Sequence, residues 1–129
     1  HHNPSMAPRI IIKDEYKNTG KVYGQVEVGY FAKPEYGWSK DILDAIVEGM
    51  KTSTNGMTIT YKNRETVENG VQKMTILSTY DGENGKMKSK TTLYLKKDQS
   101  VFMLSTQTPA ENWDKYQDSY DQIHNSFKY

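Results

Sequence analysis

The 129-residue chain has the length of one domain that can bury its own core without help from a metal or a disulfide. Its 17 basic and 16 acidic residues nearly cancel, which argues against general nucleic-acid binding, and the lack of Cys excludes disulfides, Cys-rich zinc sites and thiol catalysis. No apolar run approaches the roughly 20 residues needed to cross a bilayer. We interpret residues 1–6, His1 to Met6, as a purification tag and vector remnant, and residues 7–129 as a single domain.

Two strands are predicted at the beginning of the domain. The segment from Arg9 to Lys13 contains three consecutive Ile residues, which favours a buried strand, and a turn from Asn18 to Gly20 follows it. From Val22 to Phe31 the residues alternate between two faces, as in a half-buried strand. We expect its core face to be the one that carries Val22, Gly24, Val26, Val28 and Tyr30.

A helix is predicted after the loop from Ala32 to Trp38. Ser39 is a suitable N-cap, and Asp41 falls in the first turn, where the helix dipole favours a carboxylate. Apolar residues then recur at helical spacing as far as Lys51, namely Ile42, Leu43, Ile46, Val47 and Met50. The turn signal Asn55-Gly56 ends this segment.

Four more strands are predicted: Met57 to Val67, Val71 to Tyr80, Lys86 to Lys97 and Ser100 to Thr106. Asn69-Gly70 predicts a tight hairpin between the first two, and the segment from Asp81 to Gly85 is predicted to be a loop. In the first of these strands, Met57, Ile59 and Tyr61 are expected on one face.

The last element is predicted to be an amphipathic helix. Thr108-Pro109-Ala110-Glu111 has the form of a capping box with Pro at the first helical position. The residues that follow step by three and four along one apolar stripe: Trp113, Tyr116, Tyr120, Ile123 and Phe127. Strands, a helix, four strands and a helix predict the α+β class, with an antiparallel sheet that carries two amphipathic helices.

No catalytic group stands out in the sequence. His124 has no second His, no Cys and no spaced carboxylate set to accompany it, so we expect it on the helix flank near the C-terminal dipole. Any divalent ion is expected at His1 or His2. The carboxylates, serines and glycines match no acid–base pair, nucleophile motif or phosphate-binding loop. We therefore predict no enzymatic activity, no cofactor and no metal.

Two features suit binding. The first is an aromatic loop with four candidate contact residues, Tyr30, Phe31, Tyr36 and Trp38, although Trp38 is expected first of all to hold the helix on the sheet. The second is a row of three like charges on one strand face, Lys86, Lys88 and Lys90, opposite the face of Leu93 and Leu95. These lysines could contact an acidic partner, but on an outer or edge strand they more often prevent edge pairing.

Three segments carry a resemblance to a known family: Lys90 to Tyr94, Val101 to Pro109 and Tyr120 to Lys128. With Gly37-Trp38-Ser39 before the first helix, they are similar to the PsbP-like superfamily, which includes the PsbP subunit of photosystem II, a yeast Ran-release factor and bacterial envelope lipoproteins. The resemblance extends over roughly residues 9 to 129 and implies an α-β-α sandwich that acts as a binding or assembly module. We cannot place the strand that usually opens the family's fold upstream of Arg9, and its absence would expose a sheet edge. We expect that edge to be covered by the N-terminal segment or by another copy of the chain, which would make a homodimer.

The function expected from these observations is that of a non-enzymatic binding or assembly module of a bacterial cell-envelope or secreted (lipo)protein, and its localisation is expected to be extracytoplasmic. Its partner is a protein or a small ligand rather than a nucleic acid, and membrane attachment would require a lipid anchor that has been removed. The alternatives are a photosynthetic accessory protein of the PsbP type and an enzyme with an unrecognised site.

Overall fold

The structure is a computed structural model that describes residues 10–15 and 22–129, with side chains from residue 25 onward. These residues form β1 (Ile10–Glu15), β2 (Val22–Phe31), α1 (Ile42–Ser53), β3 (Thr58–Thr66), β4 (Gln72–Gly82), β5 (Gly85–Leu95), β6 (Val101–Pro109) and α2 (Trp113–Ser126). The predicted order of strands and helices and the α+β class are confirmed. The tag at His1 to Met6 and the turn at Asn18 to Gly20 lie outside the described residues.

The described strands form one sheet of six, in the order β1-β2-β6-β5-β4-β3, and every neighbouring pair is antiparallel. β3 lies at one edge of this sheet, and eight of its nine residues are exposed. Charged side chains on an edge strand, such as Lys62 and Arg64, discourage pairing with another chain. A homodimer through a sheet edge stays a prediction.

Helix α1 covers one face of the sheet. Of its predicted apolar residues, Ile42, Leu43, Ile46 and Val47 are buried and Met50 is half-buried. They pack with six residues of the sheet: Phe31, Met74, Ile76, Leu93, Val101 and Met103. The N-cap is Asp41, whose Oδ1 accepts hydrogen bonds from the backbone N–H groups of Leu43 and Asp44. The prediction of Ser39 as N-cap was wrong, because the carboxylate two residues later reaches these N–H groups and also accepts a hydrogen bond from Arg64 at 2.6 Å.

Helix α2 covers the opposite face, so the predicted α-β-α sandwich is confirmed. Its residues Trp113, Tyr120 and His124 are buried. The predicted capping box does not form: β6 continues to Pro109, a 3₁₀ turn occupies Ala110–Asn112, and Asn112 makes no side-chain cap. Thr108 pairs with Lys88 in the sheet ladder, and Pro109 is the N-cap of the 3₁₀ turn that follows, so Thr108 lies one position too early to cap it.

The predicted core face of β2 was wrong. Val26, Val28 and Tyr30 are half-buried and lie on the α2 side, whereas Glu27 and Phe31 are buried on the α1 side. β2 is an interior strand between β1 and β6, and helices lie on both sides of the sheet, so neither of its faces is a solvent face.

Two turns and one bulge fix the register of β3, β4 and β5. Asn69 and Gly70 both adopt positive φ in the β3–β4 hairpin, as their sequence predicts. Gly82 pairs with Gly85, so the predicted loop is a tight hairpin. The register of β3 shifts between Ile59 and Tyr61, which places Tyr61 on the face opposite Ile59 and leaves it exposed, contrary to the prediction.

Candidate functional site

His124 lies at the centre of the interface between α2 and the sheet. Its Nδ1 is 2.9 Å from the Thr92 hydroxyl on β5, and its Nε2 is 2.9 Å from the Thr106 hydroxyl on β6. The Thr106 hydroxyl can donate to the carbonyl of Lys90 at 3.4 Å. Thr106 would then accept from Nε2–H and Thr92 would donate to Nδ1, which satisfies a neutral imidazole completely. The prediction that His124 lies on the helix flank was wrong.

The surroundings of His124 favour its neutral form. Burial lowers its pKa to about 4, the positive charges of Lys90 and Lys73 act in the same direction, and the carboxylate of Asp121 opposes them. The side chain therefore links the helix to the sheet by hydrogen bonds and carries no charge at neutral pH.

The three lysines predicted as a contact surface have different surroundings. Lys90 Nζ is 2.9 Å from Asp121 Oδ1 on α2, and Lys88 Nζ lies 5.0 Å from the centroid of the Trp113 ring. Both side chains are therefore engaged with the helix. Lys86 is exposed at the hairpin and pairs with Asp81 at 2.6 Å.

β5 does not lie at an edge of the sheet. It pairs with β4 on one side and β6 on the other, so its lysines do not protect an open edge. Charge spacing along one strand cannot reveal this, because the position of a strand in a sheet depends on pairing between distant segments.

A row of directly opposed side chains crosses four strands on the α2 side. Tyr30 of β2 lies opposite Phe102 of β6, Phe102 lies opposite Tyr94 of β5, and Tyr94 lies opposite Lys73 of β4. The ring centroids of Tyr30 and Phe102 are 4.9 Å apart. The row exists because these residues share one strand parity at one level of the sheet.

The end of α2 and one further lysine complete this row. Phe127 is the C-cap of the helix, and its ring centroid lies 5.7 Å from that of Tyr94. The ring of Tyr129 stacks on that of Tyr94, with 4.2 Å between the centroids. Lys96 Nζ is 5.5 Å from the centroid of Phe102, and Lys73 Nζ is 5.8 Å from that of Tyr94. We name this set the aromatic–lysine surface: Tyr30, Lys73, Tyr94, Lys96, Phe102, Phe127 and Tyr129.

Most of the aromatic–lysine surface remains accessible. Tyr94 at its centre is 2% exposed, whereas Tyr30, Phe102, Phe127 and Tyr129 are half-buried. Burial raises the pKa of Tyr94, a hydrogen bond with Thr92 lowers it, and the charge of Tyr129 adds to the rise. The phenol therefore stays neutral, and the surface combines apolar ring edges with two ammonium groups.

The predicted aromatic loop does not form a single surface. Tyr30 and Phe31 belong to β2 and point to opposite faces, Tyr30 to the aromatic–lysine surface and Phe31 to the core under α1. Trp38 packs on that core, and its Nε1–H donates to the carbonyl of Gln99 at 2.7 Å. This agrees with its expected role in holding the helix. Tyr36 is 93% exposed.

Next to the apolar core, the sheet face that packs on α1 carries polar residues that are also buried. Ser78 pairs with Ser89 at 2.7 Å between their hydroxyl oxygens, and Thr91 pairs with Ser105 at 3.0 Å. We name these four residues the hydroxyl patch. Glu27 lies opposite Ser105 in the sheet register and is buried as well. The four side chains satisfy one another, so the patch is a set of internal hydrogen bonds.

Tyr80 lies beside the hydroxyl patch and donates a hydrogen bond to the side-chain oxygen of Gln107. Burial raises the pKa of Tyr80 to about 12, and the negative charge of Glu27 adds to this shift. A phenol with this pKa is a hydrogen-bond donor and a poor base at neutral pH. Within residues 10–15 and 22–129, no group of three or more His, Cys, Asp or Glu side chains could hold a metal ion.

Sequence analysis did not predict the aromatic–lysine surface, although the sequence indicated where two of its aromatic residues would point. The apolar stripe of α2 predicted that Phe127 would face the sheet, and strand alternation placed Phe102 opposite in parity to Val101 and Met103. Lys73 and Lys96 gave no signal, because they join the aromatic residues only through the pairing of β4, β5 and β6.

No helix in the described part of the chain is long and apolar enough to span a membrane. No family model and no curated protein matches the chain. Protein PA94 of Pseudomonas aeruginosa, whose function is unknown, is similar in structure with a TM-score of 0.72 at 9% identity, over 100% of this chain and 85% of PA94. The cyanobacterial PsbP (CyanoP) of Synechocystis sp. PCC 6803 is similar with a TM-score of 0.63 at 13% identity, over 95% of this chain and 82% of that protein.

At these identities the similarity concerns the fold alone. The three layers and the antiparallel sheet agree with the resemblance carried by the sequence motifs of the second half. The chain has a PsbP-like fold.

Proposed function

We propose that this protein is a non-enzymatic binding module that contacts a partner protein through the aromatic–lysine surface. The observation that carries the proposal is the row formed by Tyr30, Phe102, Tyr94 and Lys73, with Phe127 and Tyr129 beside it. Aromatic side chains contribute much of the binding energy in protein interfaces, because they bury a large area at a small entropic cost.

The composition of the surface supports this function over a purely structural role. An aromatic core that only anchors α2 would be closed over by the helix, as Trp113 and Tyr120 are. In the aromatic–lysine surface, four of the five rings keep part of their surface accessible at the end of the helix.

We also propose that the module works in the bacterial cell envelope or outside the cell. The PsbP-like fold and the lack of Cys support this location, since free thiols are a liability in oxidising compartments. Fractionation of cells that make the native protein tests it: we expect the protein outside the cytoplasm, and recovery in the cytoplasmic fraction would refute this part of the proposal.

Site-specific photo-crosslinking tests the binding function. A photoreactive phenylalanine analogue replaces Tyr129 in one variant and Tyr61, exposed on β3, in the control. In cells that make the native protein, we expect one discrete adduct at position 129 and none of the same mass at position 61. The absence of an adduct at position 129 would refute the proposed function.

A further inference from the structure

The two lysines of the aromatic–lysine surface form no ion pair with a carboxylate among the described residues. Other lysines do: Lys62 pairs with Asp44, Lys86 with Asp81 and Lys90 with Asp121, at 2.6–3.6 Å. Lys73 lies over the ring of Tyr94 and Lys96 over that of Phe102, and Lys96 also interacts electrostatically with Asp98. Both lysines are half-buried, and each ammonium has donors available for an anion.

The carboxylates near these lysines are already engaged. Glu65 of β3 lies opposite Lys73 in the register, but its carboxylate accepts a hydrogen bond from the Asn63 amide at 3.4 Å. Asp98 follows Lys96 and Lys97 in the β5–β6 turn, and its Oδ1 accepts hydrogen bonds from the backbone N–H and the hydroxyl of Ser100. The hydrogen bonds from Ser100 and the charge of Lys96 lower the pKa of Asp98, so Asp98 is ionised near Lys96. Neither Lys73 nor Lys96 forms an ion pair with these two carboxylates, so each ammonium can still donate to a partner.

A protein segment suits this surface better than the other polyanions. Single-stranded nucleic acids stack their bases on open ring faces, whereas Tyr94 is buried and Phe102 has a lysine over its ring. A phosphate-rich ligand or an anionic membrane favours a larger basic excess than the net charge of +1 provides. Two ammonium groups among apolar ring edges match a few carboxylates interspersed with apolar side chains.

We propose that the aromatic–lysine surface binds an acidic, extended segment of a partner protein, with carboxylates at Lys73 and Lys96 and apolar side chains on Tyr30, Phe102 and Tyr129. This inference rests on the proposed function and adds the chemistry of the partner. The same geometry gives Glu65 a role in specificity, because its carboxylate opposes the approach of acidic ligands to Lys73.

Selection from a phage-displayed library of random linear peptides tests the partner's chemistry without assuming a sequence. The full chain is the bait, and the enriched peptides are synthesised and titrated by fluorescence anisotropy. We expect an excess of Asp and Glu next to aromatic or aliphatic residues. The Lys73→Gln/Lys96→Gln double variant should lower the affinity by about tenfold or more, and added salt should weaken wild-type binding.

Matched variants separate the effect of site from that of net charge. Lys51→Gln/Lys115→Gln removes the same charge from two exposed lysines on the helices and should leave the affinity unchanged. Glu65→Gln should raise it. Enriched peptides without an acidic excess, or equal losses in the two double variants, would overturn the inference.

Two further probes distinguish the other partners. Preferential binding to phosphatidylglycerol vesicles or to a single-stranded oligothymidine, with the same dependence on Lys73 and Lys96, would overturn the inference in favour of a membrane or a nucleic acid. A crosslinked protein at position 129 together with failed peptide selection would overturn this inference and leave the proposed function standing. Without the adduct, the proposed function fails.

Discussion

At the scale of single residues, His124 shows how the setting of a side chain decides its chemistry. It is 3% exposed and its two ring nitrogens both contact threonine hydroxyls. Protonation would place a charge where burial and Lys90 oppose it and would leave one hydroxyl facing an additional donor. The residue that looked like a surface histidine is a buried hydrogen-bonding group.

The low pKa of His124 predicts a pH dependence of stability. The folded-state pKa of about 4 is below the ordinary value of 6.5, so between these values the unfolded chain binds a proton that the folded chain does not. The contribution of neutral His124 to the free energy of unfolding should therefore be fully present above pH 6.5. The free energy of unfolding should fall by about 3 kcal/mol as the pH is lowered to about 4. Urea denaturation across this range measures it.

The His124→Gln variant provides the control for this titration. Glutamine can hydrogen-bond to Thr92 or Thr106 but does not titrate, so the part of the slope that belongs to His124 should disappear. Because carboxylates titrate near the lower end of the range, the difference between the two proteins is the relevant quantity. Parallel pH profiles would show that His124 is accessible to protons in the folded state.

Asp41 gives a second prediction at this scale. Burial raises its pKa, but the hydrogen bond from Arg64 and those from the backbone of Asp44 and Leu43 lower it more, so the net pKa is below its usual value. Asp41→Ala removes the N-cap and the ion pair together and should cost about 1–2 kcal/mol of unfolding free energy. Ser39→Ala, at the N-cap position expected from the sequence, should change it by less than about 0.5 kcal/mol. Chemical denaturation that ranks these variants in the reverse order would contradict the capping geometry.

At the scale of elements, α2 is held by an aromatic stripe and a polar link together. The rings of Trp113 and Tyr120 pack at 60° to each other, and the Tyr120 hydroxyl donates a hydrogen bond to the carbonyl of Gln107 at 2.9 Å. His124 follows one turn later. The helix thus buries aromatic area while each polar group in the interface has a partner, which is the condition for burying polar groups at little cost.

Substitutions along α2 should follow burial. Trp113→Ala empties a buried site and should cost about 3–5 kcal/mol, while Phe127→Ala, at a half-buried C-cap, should cost less, about 2 kcal/mol. Asp118→Ala on the exposed face is the control and should remain within about 0.5 kcal/mol. Guanidinium denaturation compares the three, and equal small losses would mean that the helix is not packed on the sheet.

At the scale of the whole molecule, one sheet supports two separate hydrophobic layers. Leu43 and Leu93 are fully buried on the α1 side, while Tyr94, next to Leu93 in sequence, faces α2. Successive residues of β5 and β6 point alternately into the two layers. If the sheet unfolds, both layers therefore lose their packing together. We therefore expect the described domain to unfold as one cooperative unit.

The two tryptophans test this cooperativity, since each reports one layer. Trp38 packs on the α1 core, and Trp113 is the first residue of α2 and is buried. Fluorescence unfolding curves of Trp38→Phe and Trp113→Phe, each scaled to its own stability, should show single transitions that coincide with loss of circular dichroism in the same variant. A separate early transition seen only through Trp113 would show that α2 detaches before the sheet unfolds.

Sequence alone determined the local structure of this protein, because the signals are local. The alternation of Met74 and Ile76, the helical spacing of α1 and the Asn69-Gly70 turn each depend on residues within a few positions of one another. Two predictions failed because a longer-range interaction decided the outcome. The extended pairing of Thr108 with Lys88 removed the capping box, and the bulge in β3 turned Tyr61 outward.

The tertiary structure alone decided strand order, and with it the candidate site. The order β1-β2-β6-β5-β4-β3 places the last strand between β2 and β5, so Phe102 separates Tyr30 from Tyr94 and Lys73 joins the same row. These residues come from four segments up to 72 positions apart (30 to 102). The spacing of apolar residues along one segment does not predict which strands pair. Strand pairing depends on loop closure and on the burial of both sheet faces at once.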